Sequence, residues 1–230
     1  VLFRSRQIDD AILRALAPEI NMDQWLLTCA DAAVLEVTEG EIWRFNHDKL
    51  RESVLIDLLE DEKRDLNRQV AASIEQVHPD DPAYTEVLYG HWHAAGDQAK
   101  TLDYLEPFVA NLVNYQARYD RAINLIEVHI ETLPDRHRLL SVLYYYLGDA
   151  HWRLGNLPKA HQLLQKSLDV INDVPHQRAM SLSLLGRIED NLGNYEAGKR
   201  HQEESLKINQ EIGDQIGIAR NLNGMGLSAL

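Results

Sequence analysis

Residues 144–156 read YYYLGDAHWRLGN and residues 182–194 read LSLLGRIEDNLGN, so one pattern appears twice in register. An aromatic residue or Leu stands three positions before a Leu-Gly pair, and a second Leu-Gly, followed by Asn, comes seven positions later. Gly148 recurs as Gly186 and, in a Met-Gly pair, as Gly226, after 38 and then 40 residues. A repeat of this length with two helical segments per unit predicts stacked helical hairpins.

The first repeat predicts two helices that pack against each other. Between residues 144 and 154 the apolar-leaning positions recur at steps of three and four, which is typical of one helix face. Residues 154–156 end this helix, because glycine adopts the left-handed conformation of a helix C-terminus at little cost. Gly148 and Ala160 are small where the helices would cross, so the axes can approach to about 8 to 10 Å. The inward face of the second helix comprises Leu157, Ala160, Leu164, Ser167, Leu168 and Ile171.

These residues resemble the tetratricopeptide repeat, whose units are stacked in an open α-α superhelix. The matching positions are Tyr144, Leu147, Gly148, His151, Ala160, Leu164 and Ser167, then Leu182, Leu185, Gly186, Glu189, Gly198, Gln202 and Ser205. The second repeat departs from the pattern at Glu189, Gly198 and Gln202, where an aromatic residue, Ala and a bulky apolar residue are usual. We therefore expect looser packing there. The units are longer than the usual ~34 residues.

Composition restricts the class of protein. The chain has 230 residues, 45% of them hydrophobic, which is ample for a core, and few glycines or prolines, so we expect a mainly helical fold. Its single cysteine, Cys29, excludes an internal disulfide. Without a long apolar run or a signal-peptide pattern, the sequence predicts a soluble, cytoplasmic protein with no membrane partner. A net charge of −13 argues against nucleic acid as a partner.

The N-terminal part predicts a winged-helix-like domain over residues 6–59. Two apolar stripes indicate helices from Ile8 to Leu16 and from Met22 to Ala33, the second with Trp25, Leu26, Cys29 and Ala33 on its inward side. The period then changes to two, and residues 34–45 predict a small β-hairpin. Asn46 caps a further helix that runs to about Leu59. Residues 1–5 look like a non-native scar and are excluded from the fold.

The remaining chain predicts further helical segments. Residues 60–81 form a connecting helix and a Pro-containing linker. Residues 82–136 form degenerate repeat-like hairpins, with helices breaking at Pro107 and again near residue 118. Residues 137–230 hold the tetratricopeptide-like repeats, the third of them truncated within its first helix. We therefore expect a winged-helix-like domain followed by an α-α superhelix of helical hairpins.

Three segments, residues 43–52, 65–71 and 90–97, resemble the junction found in STAND-type regulatory ATPases of bacteria. In that family an AAA-like nucleotide-binding domain ends in a winged helix and continues into tetratricopeptide repeats. The resemblance implies that the winged helix here is a packing and autoinhibition element. It also implies that a nucleotide-binding domain lies upstream of Val1 in the same chain. It also implies a role in signal transduction.

Possible catalytic and metal sites each meet a physical objection. Residues 193–200 match G-x-x-x-x-G-K, but a helix precedes them and Arg200 replaces the Ser or Thr that would bind magnesium. His91 and His93 are two apart and so point to different sides of a helix, which disfavours zinc chelation. The residues His47 and Asp48 fit a helix start better than an acid-base pair. We expect no cofactor, no metal and no catalytic site in these residues.

A groove along the repeats is the remaining candidate site. The first helix of each hairpin lines the concave face of such a stack, where aromatic residues and arginines make effective contacts. The register predicts a protein-binding groove formed by Tyr145, Asp149, Trp152, Arg153, Arg187, Asp190, Asn191, Arg220 and Asn223. The alternative is an ordinary solvated helix face. Asp149 stands where repeats that clamp a C-terminal carboxylate require Asn, so that peptide class is not expected.

Three functions remain open. The leading hypothesis is a protein-interaction and sensor region of a multidomain regulatory ATPase, which binds a protein or peptide in the groove. The second is a DNA-binding regulator that uses the helix from Met22 to Ala33, whose polar residues include no Lys or Arg. The third is a passive spacer.

Overall fold

A computed structural model describes residues 7–38, 43–46, 58–135, 137–170 and 174–228. The chain divides into two compact units, of which unit 1 is Val1–Phe108 and unit 2 is Val109–Leu230. The predicted mainly helical fold, with a small antiparallel sheet and helical hairpins, is confirmed. Among the described helices, none has the length and apolar character needed to cross a bilayer. The predicted domain limits at residues 59, 81 and 136 stay predictions.

Unit 1 begins with a small sheet and two helices. They are β1 (Gln7–Ile8), α1 (Asp10–Leu16), α2 (Met22–Asp31), β2 (Leu35–Val37) and β3 (Trp43–Phe45). The strand β3 is central and pairs antiparallel with both β1 and β2. The predicted hairpin is confirmed, but the prediction that Ile8 starts the first helix is wrong, because Ile8 pairs with Trp43. The winged-helix assignment stays a prediction, and the helix predicted after Asn46 lies mostly outside the described residues.

The helix α2 packs against this sheet through one face. Met22 and Leu26, one turn apart, are buried together with Ile8 and Leu35. The prediction that Trp25 lies on the inward side is wrong, since 39% of its surface is exposed. The stripe at residues 22 and 26 is what faces the sheet, which turns Trp25 outward. Asn21 caps the helix as predicted, accepting a hydrogen bond from the Gln24 backbone N–H at 3.2 Å.

The start of α1 is tied to residues far along the chain. The Asp9 carboxylate caps the helix by accepting hydrogen bonds from the backbone N–H groups of Ala11 and Ile12. Its other oxygen lies 3.0 Å from His78 Nε2 and 3.1 Å from the Tyr84 hydroxyl, which donates to it. The rings of His78 and Tyr84 also stack, with centroids 4.3 Å apart. One carboxylate therefore fixes the N-terminal helix against the segment after residue 77.

Four further helical segments follow. They are α3 (Glu60–Val77), a 3-10 turn (Pro82–Tyr84), α4 (Thr85–Ala94) and α5 (Gln98–Asn114). The core of unit 1 is formed by Ile12, Val70, Ala71, Ile74, Leu88, Trp92 and Ala95. The predicted break at Pro107 is wrong, because α5 continues through it. Leu105, Phe108 and Leu112 are buried at helical steps on both sides of the proline. Their burial offsets the hydrogen bond that Pro107 cannot donate.

Unit 2 consists of helices packed in pairs. They are α6 (Tyr119–Ile130), α7 (Arg138–Arg153), α8 (Leu157–Val170), α9 (Pro175–Asn191), α10 (Tyr195–Ile212) and α11 (Gln215–Ser228). The predicted hairpins α7/α8 and α9/α10 are confirmed. Each turns at a glycine with positive φ, Gly155 at 80° and Gly193 at 81°, a conformation that other residues adopt only with strain.

The hairpin α7/α8 packs through small and aliphatic side chains, as predicted. A Cβ atom added at Gly148 would lie 3.0 Å from Leu164 Cγ, so the two helices approach closely at this point. Ala160 and Leu164 are fully buried in the same cluster. The prediction that Leu154 belongs to the buried stripe is wrong, since half of its surface is exposed. Leu154 follows the last residue of α7 and is turned outward with the start of the connection.

The expectation of looser packing in the hairpin α9/α10 is wrong. A Cβ atom added at Gly186 would lie 2.9 Å from both the Gly198 carbonyl oxygen and Gln202 Nε2. Gln202 is buried and donates a hydrogen bond to the Ser183 carbonyl at 2.8 Å. Two glycines therefore bring these helices together, and a polar side chain fills the position that a bulky apolar residue usually occupies.

The last helix, α11, packs in a register that the repeat did not predict. The pattern places Leu222 and Met225-Gly226 on the buried side, but 55% of Leu222 is exposed. Asn221 is fully buried instead. It donates to Gln202 Oε1 at 2.8 Å and accepts from Asn209 Nδ2 at 2.7 Å. The contact of α11 with α10 is thus made through amide hydrogen bonds, which a search for apolar periodicity does not detect.

Candidate protein-binding groove

Two cavities of unit 2 share the side chains of Arg187 and Arg220. Cavity 1 has a volume of about 450 Å³ and cavity 2 of about 310 Å³. Cavity 1 is lined by Trp152, Arg187, Asp190, Asn191, Tyr195, Arg220, Asn223 and Gly224. Cavity 2 is lined by Asn114, Tyr115, Tyr145, Asp149, Arg153, Met180, Ser183, Leu184, Arg187 and Arg220. All nine residues predicted for the groove therefore line one cavity or both.

The periodicity of the helices explains why these residues meet. Tyr145, Asp149 and Trp152 follow one another on α7 at steps of four and three, so they lie on one face. Arg187 and Asn191 are spaced by four on the neighbouring α9, and α11 supplies Arg220 and Asn223. Because α9 packs against both α7 and α11, its side chains stand between theirs.

Trp152 and Arg187 form the closest contact across the groove. The Arg187 guanidinium carbon lies 4.2 Å from the centre of the Trp152 ring, which is a cation–π contact. Such contacts stabilise by about 0.5 to 2 kcal/mol, more where water is excluded. Burial lowers the pKa of Arg187 below its usual value, and the neighbouring charges of Arg153 and Arg220 act in the same direction. The charge of Asp149 opposes them, and the side chain stays ionised.

Asp149 is a groove residue, but it is not exposed as the register suggested. Only 4% of its side chain is accessible, and its Oδ1 accepts a hydrogen bond from Arg153 Nε at 3.0 Å. Burial lowers the pKa of Arg153, but the Asp149 partner outweighs burial and raises it overall. The pair lies one turn apart on α7, so its charges cancel locally. Asp149 therefore serves as the counter-charge of Arg153.

Tyr145 is partly buried, and the charge of Asp149 acts on its hydroxyl. Burial raises the pKa of Tyr145 well above its usual value, and the negative charge of Asp149 adds to the effect. The hydroxyl therefore stays protonated, so it can donate a hydrogen bond into cavity 2 at any physiological pH. Its ring packs edge-on against Tyr146 at 5.1 Å between centroids, which fixes its position.

Seven residues that line the cavities were not predicted from the sequence, among them Tyr195, Tyr115 and Ser183. Tyr195 begins α10, and Tyr115 follows α5, so neither belongs to the helices that the repeat register assigns to the groove. Both are strongly exposed, at 61% and 85%. Ser183 lies on α9 one turn before Arg187, and this spacing is the signal that could have indicated it. Its hydroxyl is buried, with no hydrogen-bond partner in the described part of the chain.

The other candidate sites have structural explanations. Gly193 connects α9 to α10, so the sequence resembling a phosphate loop follows a helix and not a strand. His91 Nδ1 lies 2.8 Å from Asn67 Oδ1, and His93 stacks on Tyr89. Within the described ranges, no cluster of three or more His, Cys, Asp or Glu residues is arranged to hold a metal ion. His47 and Asp48 lie outside the described residues.

Comparison with known protein families supports the repeat assignment. A family model described as a tetratricopeptide repeat matches residues 178–212, which run from α9 to the end of α10. The chain contains a tetratricopeptide repeat. The match covers Arg187, Asp190 and Asn191, so part of the groove belongs to the repeat itself. No curated protein matches the chain.

Several solved structures share features of the fold at low identity. A crystal structure of MamA protein is 14% identical over 73% of this chain and 85% of that chain, with a TM-score of 0.47. MamA from Desulfovibrio magneticus RS-1 is 16% identical over 71% and 95%, with a TM-score of 0.38. A STAND protein with a tetratricopeptide repeat sensor, from Pyrococcus horikoshii, is 17% identical over 97% and 45%, with a TM-score of 0.47. At these values none of the three bears on function.

Proposed function

We propose that the chain is a protein-interaction module that holds an extended segment of a partner protein in the groove of α7, α9 and α11. The observation that carries this proposal is the convergence of nine side chains from α7, α9 and α11 on two adjoining cavities. Tetratricopeptide repeats generally act by binding other proteins. The groove also combines an aromatic ring with arginines, the residue types that dominate the energy of protein interfaces.

The dimensions of the groove favour a segment over a folded domain or a small molecule. The two cavities are open and adjoin at Arg187 and Arg220, so a chain can run from one into the other. Both cavities combine polar groups with aromatic rings, Trp152 and Tyr195 in cavity 1 and Tyr145 in cavity 2. An extended peptide presents both kinds of group, since its backbone is polar and its side chains can be apolar.

Binding of a peptide library tests the proposal. A displayed library of random 12-residue peptides is selected against the 230-residue chain, and the selected peptides are synthesised for calorimetry. Trp152→Ala should weaken their binding by roughly 10-fold or more, because an aromatic hot spot is removed. Trp25→Ala, which removes an exposed tryptophan from α2, is the matched control. Failure to select any peptide, or equal binding by the Trp152→Ala protein, would refute the groove.

We further propose that the module is the sensor region of a multidomain signal-transduction ATPase. The support is the sequence resemblance of residues 43–52, 65–71 and 90–97 to the winged-helix and repeat junction of that family. A partner that binds one conformation of the whole protein better than another would shift the balance between them and so regulate the ATPase. The complete reading frame tests this proposal, since it must encode a nucleotide-binding domain before Arg6.

Direct DNA binding through α2 is a weaker alternative. The polar side chains of α2 include Asp23 and Asp31, both exposed, and the helix carries no Lys or Arg. Phosphate neutralisation supplies most of the affinity of non-specific DNA binding, and α2 cannot provide it. A gel shift at low salt would favour this alternative, whereas no shift would remove it.

A further inference from the structure

Arg187 and Arg220 differ from Arg153 in having no ion-pair partner among the described residues. Arg153 is bonded to Asp149, but neither Arg187 nor Arg220 makes a hydrogen bond or a salt bridge to any described residue. They come from successive groove helices, α9 and α11, and both line cavity 1 and cavity 2. Two cations that have no ion-pair partner in the described part of the chain therefore lie where the two cavities join.

The stacking of Arg187 determines which of its atoms are available. One face of the guanidinium is covered by the Trp152 ring at 4.2 Å. The N–H donors lie in the plane of the guanidinium and point away from its edges, so stacking leaves them free. An arginine held in this way is pre-organised to bind a carboxylate with two parallel hydrogen bonds.

A buried hydroxyl on the same helix face lies beside these cations. Ser183 precedes Arg187 by one turn of α9 and lines cavity 2. Only 3% of Ser183 is exposed, and its Oγ has no hydrogen-bond partner among the described residues. Buried hydroxyl groups nearly always have a hydrogen-bond partner. The unpartnered Ser183 hydroxyl therefore indicates that a ligand group binds at this position.

The charges around the junction favour an anion. Burial and the charges of Arg153 and Arg220 lower the pKa of Arg187, which means that its positive charge is disfavoured by its surroundings. An anion between Arg187 and Arg220 would remove this repulsion. Asp149 offsets this repulsion only in part, since its Oδ1 is hydrogen-bonded to Arg153.

We propose that the junction between the cavities is a carboxylate subsite, which binds an Asp or Glu side chain of the partner segment through Arg187 and Arg220. This inference rests on the proposed function of the groove and adds the chemical class of its ligand. The groove continues on both sides of the junction, so the partner chain extends in both directions. A side-chain carboxylate therefore fits this position, whereas a C-terminal carboxylate would leave one cavity empty.

The experiment uses the peptides selected from the 12-residue library and measures their dissociation constants by calorimetry. We expect one Asp or Glu at a fixed position in these peptides. Its replacement by Asn or Gln should weaken binding roughly 10-fold or more, the range of a hydrogen bond between charged groups. Arg187→Gln and Arg220→Gln should each weaken binding of the acidic peptide. Combining Arg187→Gln with the neutral peptide should cost no more than either change alone.

Controls separate charge, folding and the position of the carboxylate. Arg200→Gln removes an exposed arginine of α10 outside both cavities and should leave binding unchanged. Arg187→Lys keeps the positive charge but loses the paired N–H donors of the guanidinium, so this variant should bind the acidic peptide with an intermediate affinity. It serves in place of Arg187→Gln if thermal unfolding shows that the latter is not folded. Amidation of the peptide C-terminus should have no effect.

The outcomes distinguish this inference from the proposed function. In one outcome, peptides bind and Trp152→Ala weakens their binding, but the arginine substitutions and the neutral peptides leave the affinity unchanged. The carboxylate subsite is then wrong, while the proposal of a peptide-binding groove is supported. If amidation abolishes binding, the ligand is a terminal carboxylate and the inference is also wrong. If no peptide is selected at all, both proposals fail together.

Discussion

The carboxylate of Asp190 occupies the space that a Cβ atom on Gly198 would need. The two residues lie on α9 and α10, on opposite sides of the turn at Gly193. The usual Ala at the position of Gly198 would collide with Asp190 Oδ1 and with the Gly186 carbonyl oxygen, which would lie at 2.9 Å. Position 198 must therefore be glycine as long as Asp190, a residue of the groove, packs against it.

We expect Gly198→Ala to destabilise unit 2 despite the better helix propensity of alanine. Forcing an extra methyl group into a close contact costs about 1 to 3 kcal/mol, more than the gain in propensity. The measurement is the midpoint of urea unfolding. Gly226→Ala on α11 is the control, because no atom lies within 4 Å of its added Cβ, and it should not lower stability. Combining Gly198→Ala with Asp190→Ala should restore part of the loss.

The interface between α10 and α11 predicts a second stability effect. Asn221 is fully buried and connects Gln202, Ser205 and Asn209 by hydrogen bonds. Asn221→Ala leaves the buried Gln202 Oε1 and Asn209 Nδ2 without this partner, so we expect a loss of about 2 to 4 kcal/mol. Asn223→Ala, two residues later and exposed, should change the free energy of unfolding by no more than about 0.5 kcal/mol. Equal effects of the two changes would contradict the role of the network.

This interface also shows where prediction from sequence ends. Aliphatic periodicity identified the helices of both hairpins, and the Leu-Gly-Asn sequences identified their turns, because each signal acts locally. Gln202 and Asn221 break the apolar pattern at buried positions, so the sequence indicated loose packing and a wrong register for α11. The amide network that satisfies them needs residues from three helices. No local sequence pattern indicates hydrogen bonds between polar side chains that lie far apart in the chain.

The repeat register predicted which positions line the groove, but it did not predict the burial and hydrogen bonding of their side chains. The repeat register places Trp152 and Arg187 on neighbouring helices, which follows from the 3.6-residue period alone. It does not show that Asp149 is buried beside Arg153, or that the Ser183 hydroxyl has no hydrogen-bond partner among the described residues. Those properties depend on side-chain conformations. Ile8 and Pro107 were mispredicted for a related reason, since strand pairing and burial overrode the local preference.

In unit 1, a carboxylate with three donors predicts a dependence of stability on pH. Glu75 accepts hydrogen bonds from Tyr104 at 2.7 Å, from Lys100 at 3.0 Å and from Trp92 at 3.1 Å. Burial alone would raise the pKa of Glu75, but these donors outweigh it and lower the pKa below 4.5. The folded state therefore binds this proton less tightly than the unfolded state.

The sign of the effect follows from this lowered pKa. The stabilisation by Glu75 is complete above the pKa of the unfolded state, near 4.5, and is lost as the pH falls through the lower pKa of the folded state. Glu75→Gln should therefore flatten the dependence of the unfolding midpoint on pH in the acidic range below about 4.5. Tyr104→Phe removes one donor and should flatten it in part. An unchanged pH profile of the Glu75→Gln protein would contradict the assignment.

The pair of Asp149 and Arg153 predicts opposite effects on stability and on binding. Asp149→Asn keeps the shape of the side chain but removes the counter-charge of Arg153, which is about one third exposed. Solvent screens part of the loss, so we expect destabilisation of about 1 to 3 kcal/mol, less than for a fully buried pair. The same change removes a negative charge that acts on Arg187, so acidic peptides should bind more tightly. Asp169→Asn, on the exposed side of α8, should alter neither quantity. Weaker binding of acidic peptides by a folded Asp149→Asn protein would show that Asp149 contacts the ligand and does not merely neutralise Arg153.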